Sequence, residues 1–458
     1  MAEELFEKVV ETPAIAIEKT LETSQQISET FAINQPIEKA KEYWRILGPG
    51  LTTGAADDDP SGIATYSQTG SQYNFQLLWL AGFTFPLMAA VQEMCARIGL
   101  VTGRGLAANI RLHYPKWVLY ICASLLFVAN TLNIGADLGA MAKATQLLVP
   151  NLNFGLLVIG FTTLSLTLQI FTSYEKYARY LKWLALVLLS YVFTAFLIKG
   201  LDWSQLLKSA VMPSLSFSKE QIFLITGILG TTISPYLFFW QTSQEVEEQI
   251  LEGKTSIAAR QEETTNKEIK NMRIDIWSGM FLSNLVMFFI IAVCAATLYA
   301  NGVTNISTAA DAAAALRPLA GEGAYLLFAI GIIGTGLLAI PVLAGSASYA
   351  ISESLRWKYG LYRELGEARS FYGVIIISTL IGLLINFFNI DPIKALIYSA
   401  VVNGLVAPIV LILIVLISSN KKVMGERVNH PGITTLGWII TGIMFLAGGA
   451  TILSLLLG

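Results

Sequence analysis

Long apolar runs separated by short polar segments dominate the sequence after its first 45 residues. Eleven such runs can be counted, and each is near the roughly 20 residues that a helix needs to cross a lipid bilayer. They cover approximately residues 48–70, 75–101, 116–143, 154–172, 178–199, 220–247, 274–300, 324–351, 370–389, 393–417 and 434–457. The pattern predicts an all-α polytopic membrane protein with eleven transmembrane helices, here called spans 1 to 11.

Two segments outside the spans are long and polar. Residues 1–45 are rich in Glu and Lys and lack the short apolar core of a signal peptide. We therefore expect a cytosolic polar tail over 1–45 and a transmembrane transporter domain over 46–457. The only other long soluble segment that the pattern indicates is Glu245–Arg273.

Composition agrees with a membrane protein and excludes several other classes. The chain is 54% hydrophobic and 14% charged, whereas soluble domains carry roughly 25% charged residues. Its net charge of −2 provides no basic patch for nucleic acid. The few cysteines and histidines indicate neither a disulfide framework nor a His-rich metal centre. They are Cys95, Cys122, Cys294, His113 and His430.

The basic residues predict an orientation. If the N-terminus is cytoplasmic, 24 of the 30 Lys and Arg residues fall in cytoplasmic segments, as the positive-inside rule requires. The six that remain outside are Lys143, Lys199, Lys208, Lys219, Arg317 and Lys394. We expect a multi-pass protein of the cell (plasma) membrane, with a cytoplasmic N-terminus and an extracellular C-terminus.

Span 1 contains charges where none is expected. Asp57–Asp59 stand near the middle of the bilayer, where a single carboxylate costs at least about 2.5–3.5 kcal/mol. Pro60 removes a backbone donor, Gly62 has low helix propensity, and Ser61 can bond to the backbone instead. These residues predict that the helix unwinds and that the carboxylates face a cation, a partner or water.

Span 6 has a similar interruption. Gly227, Gly230 and Thr231 precede Ser234 and Pro235, again near mid-membrane. Irregular backbone at this depth is tolerated only where it lines a cavity or is buried in protein.

The two interrupted spans open two successive groups of five spans. This arrangement is typical of a transporter with two inverted five-helix repeats and a binding site at the midplane. The repeats would cover about 46–199 and 220–417, with 434–457 as an additional helix.

Several motifs resemble those of one transporter family. Span 1 reads GPG at 48–50, DPSG at 59–62 and IAT at 63–65, and span 2 ends in ARIGLVTGR at 96–104. These motifs are similar to those of the NRAMP family of divalent-metal transporters, and within it the NRAMP-related magnesium transporter branch. The resemblance implies a leucine-transporter-type fold with discontinuous helices 1 and 6 and an ion bound where both unwind.

The resemblance also implies a set of site positions, several of which carry altered residues. In the transition-metal members the ion is bound by the Asp and Asn of the DPGN motif, by a methionine thioether before the helix-6 proline, and by a backbone carbonyl three residues earlier. The corresponding residues here are Asp59, Gly62, Ser234 and Thr231.

The altered residues favour a different ion. Thioethers suit transition metals, whereas a site of oxygens suits Mg²⁺, which keeps several waters and is held by one or two carboxylates. We expect Asp59 to contact the ion and Asp58 to support it through water. Asp57 either attracts cations or pairs within the protein, and Asn403 is a weaker candidate whose alternative role is helix packing.

Other acidic residues allow more than one interpretation. Glu93 lies four residues before Arg97 and is expected to pair with it. Asp137 belongs to the inner aqueous path or bonds neighbouring hydroxyls. A run of acidic residues lies at the end of span 6 and consists of Glu245, Glu247 and Glu248. This run either concentrates cations at the inner mouth or forms a solvated helix face.

The energy source follows from two further positions. Tyr236 and Ala140 occupy positions that are titratable in the family, and the sequence has no nucleotide-binding GxxxxGK[ST] motif. We expect transport of partly hydrated Mg²⁺, with Mn²⁺ also accepted, by alternating access without proton coupling. The alternatives are a proton-coupled Mn²⁺ or Fe²⁺ transporter and, from a different class, a membrane sensor or enzyme. We expect no cofactor, no nucleic acid and no obligatory protein partner. The expected partners are the divalent metal ion, as the substrate, and the lipid bilayer around the protein.

Overall fold

Every span predicted from the sequence corresponds to a helix in the computed structural model. The structure describes residues 47–172, 186–199, 201–306, 308–388 and 390–456. The chain divides into two units, one ending at Gly48 and the other running from Pro49 to Gly458. The predicted tail over 1–45 and the beginning of span 5 lie outside the described residues.

Most helices follow the predicted boundaries, but span 7 begins at Asn266 rather than at 274, and the described helix of span 5 is Ser190–Leu197. Spans 1 to 11 correspond to Pro49–Asp57 with Pro60–Tyr73, Trp79–Thr102, Lys116–Leu148, Phe154–Phe171, Ser190–Leu197, Lys219–Thr232 with Pro235–Leu251, Asn266–Thr297, Ala324–Leu355, Arg369–Ile385, Pro392–Ser418 and Pro431–Leu456. Shorter connecting helices are Leu106–His113, Trp203–Val211, Ile257–Glu262, Ala309–Ala313, Arg317–Ala320 and Lys421–Met424.

Most of these helices are apolar enough to cross a membrane. Among the described residues, seven helical segments meet that condition by length and composition, and two shorter apolar ones lie in spans 5 and 9. The remaining two are span 1, which is divided into two helices, and span 2, which carries the buried polar residues Gln92, Glu93 and Arg97. The predicted all-α membrane architecture is confirmed.

Span 1 breaks where the sequence predicts. Its first helix ends at Asp57, and its second begins at Pro60 with Asp59 as the N-cap in extended conformation. Aspartate is a favoured N-cap because its side chain accepts a backbone N–H of the first turn, and proline suits the first helical position because its missing N–H has no helical partner there.

Span 6 breaks in the same way. Its first helix ends at Thr232, and its second begins at Pro235 after Ser234, which is extended. Helices 1 and 6 are therefore discontinuous, as predicted.

Glycines hold the two broken spans against their neighbours. A Cβ atom on Gly54 of span 1 would lie 2.6 Å from the carbonyl carbon of Gly279 in span 7. A Cβ on Gly230 of span 6 would lie 2.7 Å from the Cα of Gly404 in span 10. Because the backbones touch at both crossings, a larger residue at either glycine would push the helices apart.

One ion-pair network joins spans 2 and 7. The fully buried Glu93 accepts hydrogen bonds from Arg97 at 2.6 Å, from the Nη2 atom of Arg273 at 2.7 Å and from the indole of Trp277 at 2.9 Å. The predicted pairing of Glu93 with Arg97 is confirmed. The second cation, Arg273, and the neutral indole N–H further compensate the carboxylate, which is too costly to bury alone.

The polar segment after span 6 begins later than expected. The second helix of span 6 continues to Leu251, and both Glu245 and Glu247 are buried in it. Glu245 accepts from Gln241 at 2.8 Å, and Glu247 from the backbone of Leu361 at 2.6 Å. A solvated face formed by the whole acidic run is therefore wrong, because two of its three carboxylates are buried and hydrogen-bonded within the protein.

Candidate metal site

Asp59 is held at the break of span 1 by three donors. One carboxylate oxygen accepts from the Ser61 hydroxyl at 2.6 Å and from the Gly62 backbone N–H at 2.8 Å. The other accepts from the Asn133 amide of span 3 at 2.8 Å. The side chain is buried, so these hydrogen bonds replace the water that a carboxylate otherwise needs. They also fix its orientation.

Asp57 and Asp58 turn toward span 7. The Ser283 hydroxyl lies 2.7 Å from an oxygen of Asp57 and 3.3 Å from an oxygen of Asp58. The second oxygen of Asp57 has no hydrogen-bond partner in the described part of the chain. The hydrogen bond from Ser283 is a pairing of Asp57 within the protein, and the second oxygen stays able to interact with a cation.

The three aspartates do not converge on one point. Among the described residues, no group of three or more His, Cys, Asp or Glu side chains is placed to hold a metal ion. This agrees with helix geometry, because successive side chains of a helix point in different directions. A cation at Asp59 therefore needs hydroxyl, carbonyl or water oxygens as its other ligands.

Thr231 and Ser234 supply oxygens at the break of span 6. The Ser234 hydroxyl donates to the carbonyls of Gly230 at 2.6 Å and Thr231 at 2.8 Å. Its oxygen keeps lone pairs that can accept a hydrogen bond or a cation. The Thr231 hydroxyl is buried and has no hydrogen-bond partner among the described residues.

Gly62 is the point at which the two breaks meet. A Cβ atom at this position would lie 3.1 Å from the Thr231 hydroxyl oxygen, 3.3 Å from the ring of Tyr66 and 3.4 Å from the Asp57 carbonyl. The structure thus brings Asp59, Gly62 and Thr231 into one neighbourhood. The missing side chain lets spans 1 and 6 approach each other closely at their breaks.

Tyr236 connects the breaks in a way that sequence reasoning missed. Its hydroxyl donates to the Ala56 carbonyl at 3.2 Å. In an unbroken helix this carbonyl would accept from residue 60, but Pro60 has no N–H. The signal was present in the sequence, since a proline always leaves the carbonyl four residues earlier in need of a donor.

Two candidates in other spans are buried close to this region. Asn403 lies beside Gly404, the residue that packs on Gly230, and neither polar atom of its amide has a partner among the described residues. Asp137 is buried in span 3 and accepts from Asn133 at 3.3 Å. Asn133 was missed, although its position four residues before Asp137 places both on one helix face.

Two helices broken at mid-length and packed break against break are typical of transporters with discontinuous helices. A family model described as natural resistance-associated macrophage protein-like (Nramp) matches residues 50–454. The chain belongs to the Nramp family.

Relatives with similar sequences extend over nearly the whole chain. A protein of Klebsiella pneumoniae named divalent metal cation transporter MntH is 27% identical over 423 residues, which cover 90% of this chain and 95% of that protein. A protein of the same name from Caldanaerobacter subterraneus is 26% identical over 420 residues, covering 89% and 93%.

Solved structures confirm the fold. The manganese transporter of Eremococcus coleocola, in complex with an aromatic bis-isothiourea compound, has a TM-score of 0.70 at 18% identity and covers 89% of this chain and 86% of that one. Mhp1, a nucleobase-cation-symport-1 family transporter, has a TM-score of 0.53 at 15% identity, with 89% and 91% covered. The predicted leucine-transporter-type fold with two five-helix repeats is therefore confirmed.

Proposed function

We propose that this protein transports divalent metal cations by alternating access, with partly hydrated Mg²⁺ as its main substrate and Mn²⁺ also accepted. Transport of divalent metal cations is supported by the relatives, which are named as divalent metal cation transporters. They are transporters rather than enzymes, and this protein is accordingly not an enzyme; a sensor has no support from them. The observation that carries the preference for partly hydrated Mg²⁺ is the meeting of Asp59, Gly62 and Thr231 at the two breaks.

The identified donor atoms favour a hard cation. They are the carboxylate of Asp59, the hydroxyl of Thr231 and the lone pairs of the Ser234 hydroxyl, so all are oxygens. Oxygen ligands suit Mg²⁺, Ca²⁺ and Mn²⁺, whereas sulfur ligands favour softer ions. The thioether that the family's transition-metal members place at position 234 is missing.

The lack of a side-chain ligand at Gly62 favours an ion that keeps its water. Mg²⁺ dehydrates reluctantly and is usually bound through one or two carboxylates with several waters retained. Asp59 is the proposed direct ligand, and Asp58 interacts through a bound water. Asp57 contributes negative charge, and Asn403 is a further oxygen ligand from span 10.

The residues at two positions argue against proton coupling. Tyr236 carries a phenol, whose ordinary pKa of about 10 keeps it protonated at neutral pH, and its hydroxyl is bound to the Ala56 carbonyl. Ala140 has no ionisable group. The ion gradient and the membrane potential would then drive uptake, with about 2.3 kcal/mol per charge per 100 mV and about twice that for a divalent ion.

A proton-coupled transition-metal transporter is the second candidate. It is favoured by the similarity to the manganese transporter of Eremococcus coleocola. The two candidates differ in the preferred ion and in whether protons move with it.

The location and arrangement in the membrane are part of the proposal. The protein lies in the plasma membrane with its N-terminus in the cytoplasm, because 24 of its 30 basic residues then face inward. Residues 1–45 form a cytosolic tail, and 46–457 form the transporter. Its partners are the transported ion and the lipid bilayer.

Flux measurements with the purified protein in liposomes test this function. We expect Mg²⁺ and Mn²⁺ uptake that is driven by an inside-negative potential and leaves the luminal pH dye unchanged. Asp59→Asn removes the charge while keeping the side-chain shape, so uptake should be lost. Asp202→Asn, at an exposed helix N-cap that asparagine also suits, is the matched control and should transport normally.

Two results would contradict the proposal. Absence of Mg²⁺ uptake alongside Mn²⁺ uptake would favour the transition-metal candidate. Acidification of the lumen in proportion to Mg²⁺ uptake would show that protons are coupled.

A further inference from the structure

An asparagine of span 3 lies between two buried carboxylates. The amide nitrogen of Asn133 donates to Asp59 at 2.8 Å and to Asp137 at 3.3 Å. All three side chains are almost completely inaccessible, with exposed fractions of 0% for Asn133 and Asp137 and 1% for Asp59. One NH₂ group therefore occupies the region between two carboxylate oxygens of different spans.

The orientation of this amide follows from its surroundings. Carboxylates are acceptors, so the NH₂ group rather than the amide oxygen must face them. The oxygen of Asn133 consequently points elsewhere, and it has no hydrogen-bond partner among the described residues; the same holds for the second oxygen of Asp137. Both atoms are buried acceptors that are still able to accept a hydrogen bond or bind a cation.

A cation would take the place of the amide hydrogens. The amide hydrogens and a cation each place positive charge between the two carboxylate oxygens. An amide oxygen is also a ligand that hard cations accept. We propose that Asn133 and Asp137 complete the cation site at Asp59: when the ion enters, the Asn133 amide turns its oxygen to the ion, and Asp137 accepts a hydrogen bond from a water on that ion. This inference rests on the proposed cation site.

The proposal explains the change at Gly62. In the family's transition-metal members an amide ligand comes from this position of span 1, where the present chain has no side chain. Asn133 brings an amide to the same carboxylate from span 3. The amide oxygen is thus supplied from a different helix, and no side chain at position 62 competes with it.

A soft ligand at position 133 tests whether this side chain touches the ion. Thiolates favour soft ions such as Cd²⁺ over Mg²⁺. If Asn133 is a ligand, Asn133→Cys in the full-length protein in liposomes should lower the KM for Cd²⁺ relative to that for Mg²⁺ by about tenfold, the lower end of the effect expected at metal sites. A purely structural role would leave this ratio unchanged.

The matched control lies one helical turn away. Asn130 is also a buried asparagine of span 3, but its amide donates to the Leu343 carbonyl at 2.8 Å and to the Ser346 hydroxyl at 2.7 Å. Asn130→Cys should therefore keep the wild-type ratio of KM values. An equal change in both variants would overturn the proposal, because the thiol would then act without contact to Asp59.

A second comparison does not depend on the cysteine variant. Asn133→Leu keeps the size of the side chain but removes its oxygen, and Asn133→Ser restores an oxygen. We expect the first to raise the KM for Mg²⁺ by about tenfold with a nearly unchanged maximal rate, and the second to recover part of that loss. A reduced yield of folded protein with unchanged KM would instead assign Asn133 a structural role.

The outcomes separate this inference from the proposed function. Normal uptake by Asp59→Asn would overturn the cation site itself. Loss of uptake in Asp59→Asn, together with wild-type ion preference in Asn133→Cys, would overturn only the role of Asn133.

Discussion

The carboxylate of Asp59 receives donors from two spans, and the residue three positions later has no side chain. This combination leaves one oriented carboxylate at the break, with no neighbouring side chain at position 62. An ion bound there exchanges part of its water for a single carboxylate and a few neutral oxygens. That exchange suits Mg²⁺, whose first shell is costly to remove.

Substitution of Gly62 by asparagine should change ion preference. The new Cβ would lie 3.1 Å from the Thr231 oxygen, so the neighbour must shift by only a few tenths of an ångström. The added amide would displace water and bind the ion directly, which penalises Mg²⁺ more than Mn²⁺. We expect Gly62→Asn to lower the KM for Mn²⁺ relative to that for Mg²⁺ by about tenfold.

The control for this change is Gly366→Asn, at an exposed loop position where a Cβ would meet nothing within 4 Å. Competition between the two ions for uptake into the same liposomes gives the ratio directly. An unchanged ratio in Gly62→Asn would show that the missing side chain at this position does not set the ion preference.

At the level of single residues, the sequence predicts local chemistry better than long-range contacts. Asp59 and Gly62 are adjacent to a proline within an apolar run, so their significance is visible locally. Asn133 contacts Asp59 across 74 positions and Tyr236 contacts Ala56 across 180. Such partners depend on how the spans pack, which apolar patterns do not specify.

At the level of helices, each break leaves backbone groups that other elements must satisfy. The Ala56 carbonyl is bound by Tyr236 of span 6, so the first break is stabilised by the second. The Ser234 hydroxyl donates to the carbonyls of Gly230 and Thr231 at the end of the first helix of span 6. The two breaks thus form one structural unit, which is why matching interruptions in the sequence indicate a shared site.

Removal of the Tyr236 hydroxyl should reduce stability without introducing proton coupling. Tyr236→Phe leaves a buried carbonyl without its donor, which costs about 1–3 kcal/mol. We expect a lower midpoint of thermal unfolding in detergent, together with Mg²⁺ uptake that still leaves the luminal pH unchanged. The exposed Tyr398 of span 10 provides the control Tyr398→Phe. A midpoint equal to that of the control would show that the hydroxyl does not stabilise the break.

The helix boundaries also show what apolar patterns predict and what they do not. The eleven spans and both breaks follow from hydropathy, prolines and glycines, because bilayer thickness sets the length of each run. The pattern misplaces the end of span 6, since Glu245 and Glu247 read as solvated charges. Gln241 lies one helical turn before Glu245, but the burial of both glutamates and the bond from the Leu361 backbone to Glu247 are recognisable only once the helices are packed.

At the level of the whole molecule, the distribution of charge predicts an orientation. Span 7 separates a connection that contains Glu262 from one that contains Glu322, and both side chains are exposed. The positive-inside rule predicts that the first connection is cytoplasmic and the second extracellular. The three native cysteines are buried, so they should contribute little background to thiol labelling.

Single cysteines at the two ends of span 7 therefore test the orientation in intact cells. A membrane-impermeant maleimide should label Glu322→Cys directly and label Glu262→Cys only after the cells are permeabilised. The two substitutions differ only in the connection they occupy, so each serves as the control for the other. The reverse labelling pattern would place the N-terminus outside. In that case, cations drawn in by an inside-negative potential would enter the site from the face that is proposed here to be cytoplasmic.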